Sequence, residues 1–308
     1  MKSVTNGTIT LVLAIAFLSG SISAFGQARI ARTTERTNDK TSAPGLALYP
    51  LEELRPGMKG IARSVFAGSD AEGFGVEILG ILPGFTGPRQ STIIARLSGA
   101  NVDKTGVFAG MSGSPVFVDD RLVGAIAYSF PFSKEPICGI TPIQQMIEIF
   151  QQGTDKPKRN AEARATSFTE LASAEWKPRL PRPSFTSTSL IAPVTAGSPL
   201  APLMGQQIQQ IATPVVFSGI SQESLSLFSA ELTRSGLMPV SGVGGSAAIT
   251  PLEPFDASTL LPGASVSVQL VRGDYSIAAS GTVTYRDGER IYAFGHPFLG
   301  LGGSDMPM

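Results

Sequence analysis

Ser112 stands in the run "GMSGSP", residues 110 to 115, and the chain holds a single histidine, His296, in "FGHP". A serine hydroxyl is a weak nucleophile at neutral pH. It needs an adjacent base, usually an imidazole, and backbone N–H groups to hold a developing oxyanion. Gly110 and Gly113 can take positive φ, so the turn is free to aim two N–H groups at one point. Those of Gly110 and Ser112, two residues apart, are the natural oxyanion donors. Any serine–histidine mechanism in this chain must use His296, because there is no other. The plain alternative is a glycine-serine turn between strands and a satisfied histidine at a strand end, and short motifs alone leave both readings open. The elbow motif G-x-S-x-G fails at its last position, where Ser114 stands, and requires strand–turn–helix. Here the serine precedes strand, turn and strand, which favours a β-barrel protease over an α/β-hydrolase.

Other chemistry is thin. With one His and one Cys, a His/Cys metal site, which takes three or four ligands, is excluded; no metal and no cofactor is expected. Cys138 has no partner for a disulfide within the chain and reads as a buried, inert thiol. "GFGVEILG" and "GVGGSA" lack the following helix of a dinucleotide fingerprint, and no phosphate-loop "GK[ST]" occurs. Glu53 and Glu77 are isolated carboxylates of strand or turn. The formal net charge is zero with no basic block, so nothing suggests a nucleic-acid partner.

The elements that must position the serine and histidine are mainly strands. Only 16% of residues are charged, against 34 Gly and 23 Pro, which suits short strands joined by turns rather than long surface helices. "GIARSVFAG", "FGVEILGIL", "STIIARLS", "SPVFVDD" and "RLVGAIAYSF" carry the strand signature, with Asp119 and Asp120 suited to the turn. "ITPIQQMIEIFQQG" is the clearest helix. Thr141 and Gln144 form a capping box with Pro142 at the first position, Ile143, Met146, Ile147 and Phe150 make one apolar stripe, and Gly153 is the stop. Further on, "QQIQQIATPVVFSG" reads as strand, and "SQESLSLFSAELTRSG" as a helix capped by Ser221, stopped by Gly236, with Leu225, Phe228 and Leu232 on one side. "ASVSVQLVRGD" and "YSIAASGTVTYRDGERIYAFGHP" read as hairpin strands turning at "RDGE".

Residues 1–28 read as a signal peptide, with Lys2 before an apolar stretch too short for a comfortable span and small residues near Ala24 and Gly26 to Ala28 for cleavage. An uncleaved anchor is the alternative. The expected organisation continues with a polar, flexible leader over 29–45, a Ser-bearing β domain over 46–153 and a basic, Pro-rich linker over 154–195 that holds Trp176, the only tryptophan. A His-bearing β domain follows over 196–308. The last residues, "LGLGGSDMPM", carry no helix stop or polar tail, so a piece of a longer protein is an open expectation. The mature protein is expected to be exported, to periplasm or medium, with no membrane span after signal cleavage.

Several stretches carry a family resemblance. "RPGMKGIARSVFAGSDAEGFGVEILGIL", "KTGVFAGMSGSPVFVDDRLVGAIAYSF" and "GITPIQQM" resemble the SpoIVB-type peptidases, serine peptidase family 55. "GTVTYRDGERIYAFGHPF" resembles the segment that carries the family's catalytic histidine. The resemblance covers roughly residues 50 to 150 and 262 to 308 and is specific where "GMSGSP" and "FGHP" occur together. It implies a trypsin-like serine endopeptidase with Ser112 as nucleophile and His296 as general base, acting on exported protein or peptide substrates and often on itself. Two departures stand out. The family's histidine segment precedes the serine, whereas here it follows, which a triad defined by geometry tolerates. The family's acid also lies some fifteen residues before the serine, where this chain has Ser98, in "ARLSGANVDKTG". Asp103 and Asp305 are the candidate displaced acids, and a Ser–His dyad or a dead site are the alternatives. The family's PDZ module is not evident in the leader. The expectation is therefore a mainly β, trypsin-like double β-barrel with a few short helices. Its expected function is that of an exported serine endopeptidase; the rival is a catalytically inactive exported binding or scaffold protein keeping the peptidase fold.

Overall fold

The structure, a computed structural model, describes residues 46–87, 90–131, 133–152, 188–189, 198–203, 205–242 and 259–297. The first block is built from β1 (Lys59–Val65), β2 (Ala71–Gly87), β3 (Gln90–Ser98), the single turn α1 (Val102–Thr105), β4 (Pro115–Val118), β5 (Arg121–Ser129), β6 (Ile137–Pro142) and α2 (Ile143–Gln152). Six strands close in the order β4-β1-β2-β3-β6-β5, with β5 returning to β4. Every pairing in this ring is antiparallel. Closure removes the exposed edges, and it explains why β5 reads as a nearly continuous apolar run. Its residues Leu122 to Tyr128 are all buried. Ile78, Ile93, Val116, Ile126 and Ile140 fill the interior. The β4–β5 hairpin turns on Asp119 and Asp120, both at positive φ (49° and 58°), the conformation that a two-residue hairpin turn requires and that Asp tolerates.

α2 lays Ile143 and Met146 against Leu122, Ala125 and Tyr292. The expected capping box is not formed. The Thr141 hydroxyl donates instead to the Gly295 carbonyl at 2.6 Å, and the Gln144 amide to the Tyr49 carbonyl at 2.8 Å. Since β6 runs directly into α2, Thr141 is still a strand residue, and its side chain serves a tertiary contact.

The second block contains β7 (Thr188–Ser189), β8 (Gln207–Gln210), β9 (Thr213–Ser218), α3 (Gln222–Arg234), β10 (Leu237–Ser241), β11 (Ser265–Val271), β12 (Ser276–Asp287) and β13 (Arg290–Ala293). The stretch expected as one strand, 206 to 219, is two. β8 joins the barrel through Tyr128↔Gln210 and Ser129↔Gln209. β9 starts a second sheet, ordered β10-β9-β12-β11 with β13 on β12. This sheet is open among the described residues and mixed, because α3 carries the chain from β9 to a parallel β10. Ser221 caps α3, accepting from the Ser224 N–H at 3.2 Å. Leu225 is buried, but Phe228 is 62% exposed, so the sheet covers a narrower line of the helix than the sequence pattern suggests. Most of the linker, with Trp176, and the expected signal and leader lie outside the described residues. The mainly β architecture expected from the sequence is found, and its closed six-stranded barrel is consistent with a trypsin-like double-barrel protease fold.

Candidate active site

Ser112 sits where the chain enters the barrel strand β4, and its side chain is fully buried. Within the turn Gly110–Ser114, backbone hydrogen bonding can be accounted for residue by residue. The N–H of Met111 donates to Phe108, that of Gly113 to Ile126, and that of Ser114 to Met111. The Gly110 carbonyl accepts from the Thr282 hydroxyl at 2.9 Å, and the Gly113 carbonyl from the Thr284 hydroxyl at 2.7 Å. The Ser112 carbonyl accepts from the Thr282 N–H at 2.9 Å, and the Ser114 carbonyl from the Ile126 N–H at 2.9 Å. Two groups are left over. Among the described residues, the N–H groups of Gly110 and Ser112 donate to nothing. Buried backbone N–H groups are nearly always paired, so the unused N–H of fully buried Ser112, beside that of half-buried Gly110, marks a pair of donors available to an anionic oxygen. Gly110 and Gly113 take φ of 104° and 96°. At Gly113 a Cβ would collide with the Thr282 carbonyl and stand 2.6 Å from the Phe294 nitrogen, so only glycine lets β12 come this close.

The second sheet brings the histidine segment to the same place. The Ser112 hydroxyl donates to the carbonyl of Phe294, two residues before His296. Phe294 holds a left-handed φ of 67°, unusual for a bulky residue. His296 Nδ1 lies 3.1 Å from the Pro297 carbonyl. A carbonyl only accepts, so in the tautomer protonated at Nδ1 this contact is a hydrogen bond and the Nε2 lone pair is free. Nε2 is buried and has no hydrogen-bond partner. Burial pushes the imidazole pKa below its usual range, against smaller opposing effects of the Pro297 and Ile211 carbonyls. No hydrogen bond joins Ser112 to His296 in this arrangement.

Of the two candidate acids only Asp103 is described, and it does not bond the histidine. Asp103 lies on α1 and its carboxylate accepts from the Gly99 N–H at 3.3 Å. Asp305 lies outside the described residues. Among the described residues no carboxylate hydrogen-bonds His296, and no cluster of three or more potential ligands could hold a metal ion. A cleft of about 440 Å³ opens beside the turn at Phe108 and Ala109, with Ser129, Phe130, Asp103 and Ile211 on its walls. Cys138 is buried in β6, and desolvation raises its thiol pKa far above the ordinary value, as an inert thiol requires. Thr282, Thr284 and the Phe294 carbonyl are not evident as site residues in the sequence. The alternation in "GTVTY" puts both threonines on one side of a strand, but not against a turn some 170 residues away.

A closed antiparallel barrel with a serine in a glycine turn at a strand entrance is consistent with a trypsin-like protease fold. Residues 12–147 match the family model described as SpoIVB peptidase S55. The match spans less than half of the chain, takes in most of the Ser-bearing block, and supports a SpoIVB-type serine peptidase. Thr282, Thr284 and His296 lie beyond it. No curated protein and no solved structure matches the chain. Among the described residues no helix is long and apolar enough to cross a membrane.

Proposed function

We propose that the protein is an exported serine endopeptidase in which Ser112 is the nucleophile and His296 the general base. One observation carries the reading. The turn that leaves the Gly110 and Ser112 N–H groups unused is the same turn whose serine hydroxyl meets the strand end bearing the chain's only histidine. The resting hydroxyl is capped by the Phe294 carbonyl, so catalysis begins when substrate enters and Ser112 Oγ turns from that carbonyl to His296 Nε2. The neutral imidazole takes the hydroxyl proton as Oγ adds to the peptide carbonyl carbon. The oxygen that becomes negative enters the space before the Gly110 and Ser112 N–H groups. His296 then gives its proton to the departing amine, leaving an acyl-serine. Water, deprotonated by the same imidazole, releases the acid and restores the serine. Donation from Nδ1–H to Pro297 keeps the ring in the tautomer that these steps need, so the reading is of a Ser–His dyad, with Asp305 the remaining candidate for an acid because Asp103 is bonded to Gly99 instead. The cleft beside Phe108 and Ala109 receives a substrate side chain. Export rests on the signal-like residues 1–28. Self-cleavage rests on the resemblance, and fragments formed by wild type but not by Ser112→Ala would reveal it.

The test is labelling of the purified chain with a fluorophosphonate probe. Wild type should label, while Ser112→Ala and His296→Ala stay dark. A folded wild type that does not label overturns the reading. It would then favour a second one, an inactive exported binding protein, which is supported by the engaged Ser112 hydroxyl and by the lack, among the described residues, of a carboxylate on His296.

A further inference from the structure

We propose that Thr282 and Thr284 are positioning residues of this site, a clamp from the second sheet that holds the oxyanion turn of the barrel in its working shape. The inference rests on Ser112 being the nucleophile, and it names a role for residues the family match does not reach. The two glycines of the turn are its freest residues. The carbonyl of each one is held by a threonine hydroxyl, Gly110 by Thr282 and Gly113 by Thr284. Thr282 also gives its N–H to the carbonyl of Ser112 itself. Three of the turn's carbonyls therefore point at one strand, while the two unused N–H groups belong to two of the same residues, Gly110 and Ser112. Both threonines are buried, at 2% and 0% exposure, so water cannot replace the hydroxyls.

The clamp works through ψ. The Gly110 carbonyl shares its peptide plane with the Met111 N–H, which donates to Phe108, so the Thr282 hydroxyl supplies the second of two bonds on that plane. The Met111 carbonyl is in turn held by the Ser114 N–H, which fixes the plane that carries the Ser112 N–H. Loss of either threonine hydroxyl leaves its plane with one bond instead of two and lets the adjoining glycine shift a donor off its line. A donor displaced by an ångström acts little better than one removed. β12 can serve in this way because period-2 alternation sends Thr282 and Thr284 to the turn, while the Val283 N–H goes to Ala264 on the other side.

The experiment measures fluorophosphonate inactivation of the full chain, separating the maximal rate from probe affinity, because the phosphonyl oxygen occupies the position of the oxyanion. Thr282→Val should lower the maximal rate about 10- to 100-fold, with affinity and melting temperature little changed, and Thr284→Val about tenfold. Thr282→Ser and Thr284→Ser, which keep the hydroxyl, should restore the rate to within about threefold of wild type. A labelling wild type with valine variants equally fast overturns this inference alone. A wild type that never labels overturns the reading beneath it as well. If valine costs the fold, the serine variants decide: a folded serine variant as slow as a tenth of wild type shows that the hydroxyl is not the working group.

Discussion

The barrel and the second sheet solve the problem of burial differently. The barrel closes on itself, and its central strand β5 is buried from Leu122 to Tyr128. The second sheet is open, with strands such as β10 and β11 only half-buried along their length. The barrel holds Ser112 at the entrance of a strand fixed on both edges by β1 and β5. The second sheet holds His296 just beyond β13, a short strand paired on one side only. Ser112, the proposed nucleophile, thus stands on the more deeply buried part and His296, the proposed base, on the more open one.

Core truncation gives the largest contrast. Ile78 is fully buried in the barrel interior, whereas Leu225 lies under α3 in a small cluster with Val215, Phe217 and Ala279. Loss of a large aliphatic side chain costs about 2–5 kcal/mol, more where the surroundings cannot collapse. Ile78→Ala should fall near the top of that range and Leu225→Ala near the bottom, measured by urea unfolding. Equal costs would remove the distinction between a rigid barrel and an adaptable sheet.

The junction between the two regions is the next test. Gly113 and Gly288 both have positive φ. An alanine at Gly288 meets nothing within 4 Å, while one at Gly113 is driven into Thr282 and Phe294. Gly288→Ala should cost about 1–2 kcal/mol, the conformational term alone. Gly113→Ala should cost about 1–3 kcal/mol more from overpacking and should also part β12 from the turn. The two melting curves, compared directly, separate backbone strain from lost docking.

These regions differ as much in how far the sequence discloses them. The strands of the Ser-bearing block follow from alternation and from punctuation by Gly and Asp, because each pattern is local and a closed barrel buries what the pattern marks as buried. Ser221 as a cap and the "RDGE" hairpin are legible for the same reason. What the sequence does not disclose is where strands change partners. Nothing in "QQIQQIATPVV" shows that Gln210 pairs with the barrel and Thr213 with another sheet. That outcome depends on which edges are free once the barrel has closed. The serine and the histidine stand out by type and rarity. The threonines that hold the turn do not, since their hydroxyls find carbonyls far away in sequence.

A pH series probes the histidine side alone, because His296 is the only group of its kind in the chain. Desolvation lowers its pKa in the fold below the usual 6.5. The unfolded chain therefore binds the proton more readily, and stability present above pH 6.5 should be lost as pH falls through the folded value. Urea midpoints at pH 7.5, 6.5 and 5.5 should decline in wild type and flatten in His296→Gln. Labelling should lose rate over the same acid limb, since only neutral imidazole accepts the serine proton. Stability that rises with falling pH would mean that the folded ring prefers charge.

The smallest effect belongs to the outside of the barrel. Arg121 reaches Glu53 at 3.2 Å, and its guanidinium also lies 4.0 Å above the Tyr49 ring. The Glu53 side chain is 55% exposed, so water and salt screen the pair and its contribution should stay within about 1 kcal/mol. Glu53→Gln should shift the urea midpoint slightly and the shift should vanish in high salt. Arg121→Ala should cost more than Glu53→Gln, because it also uncovers the ring that Arg121 shields. An equal cost for both would assign the interaction to charge alone. The tie between the leading residues at Tyr49 and the β4–β5 hairpin would then depend on backbone bonds, such as that from the Tyr49 N–H to the Leu122 carbonyl at 2.8 Å.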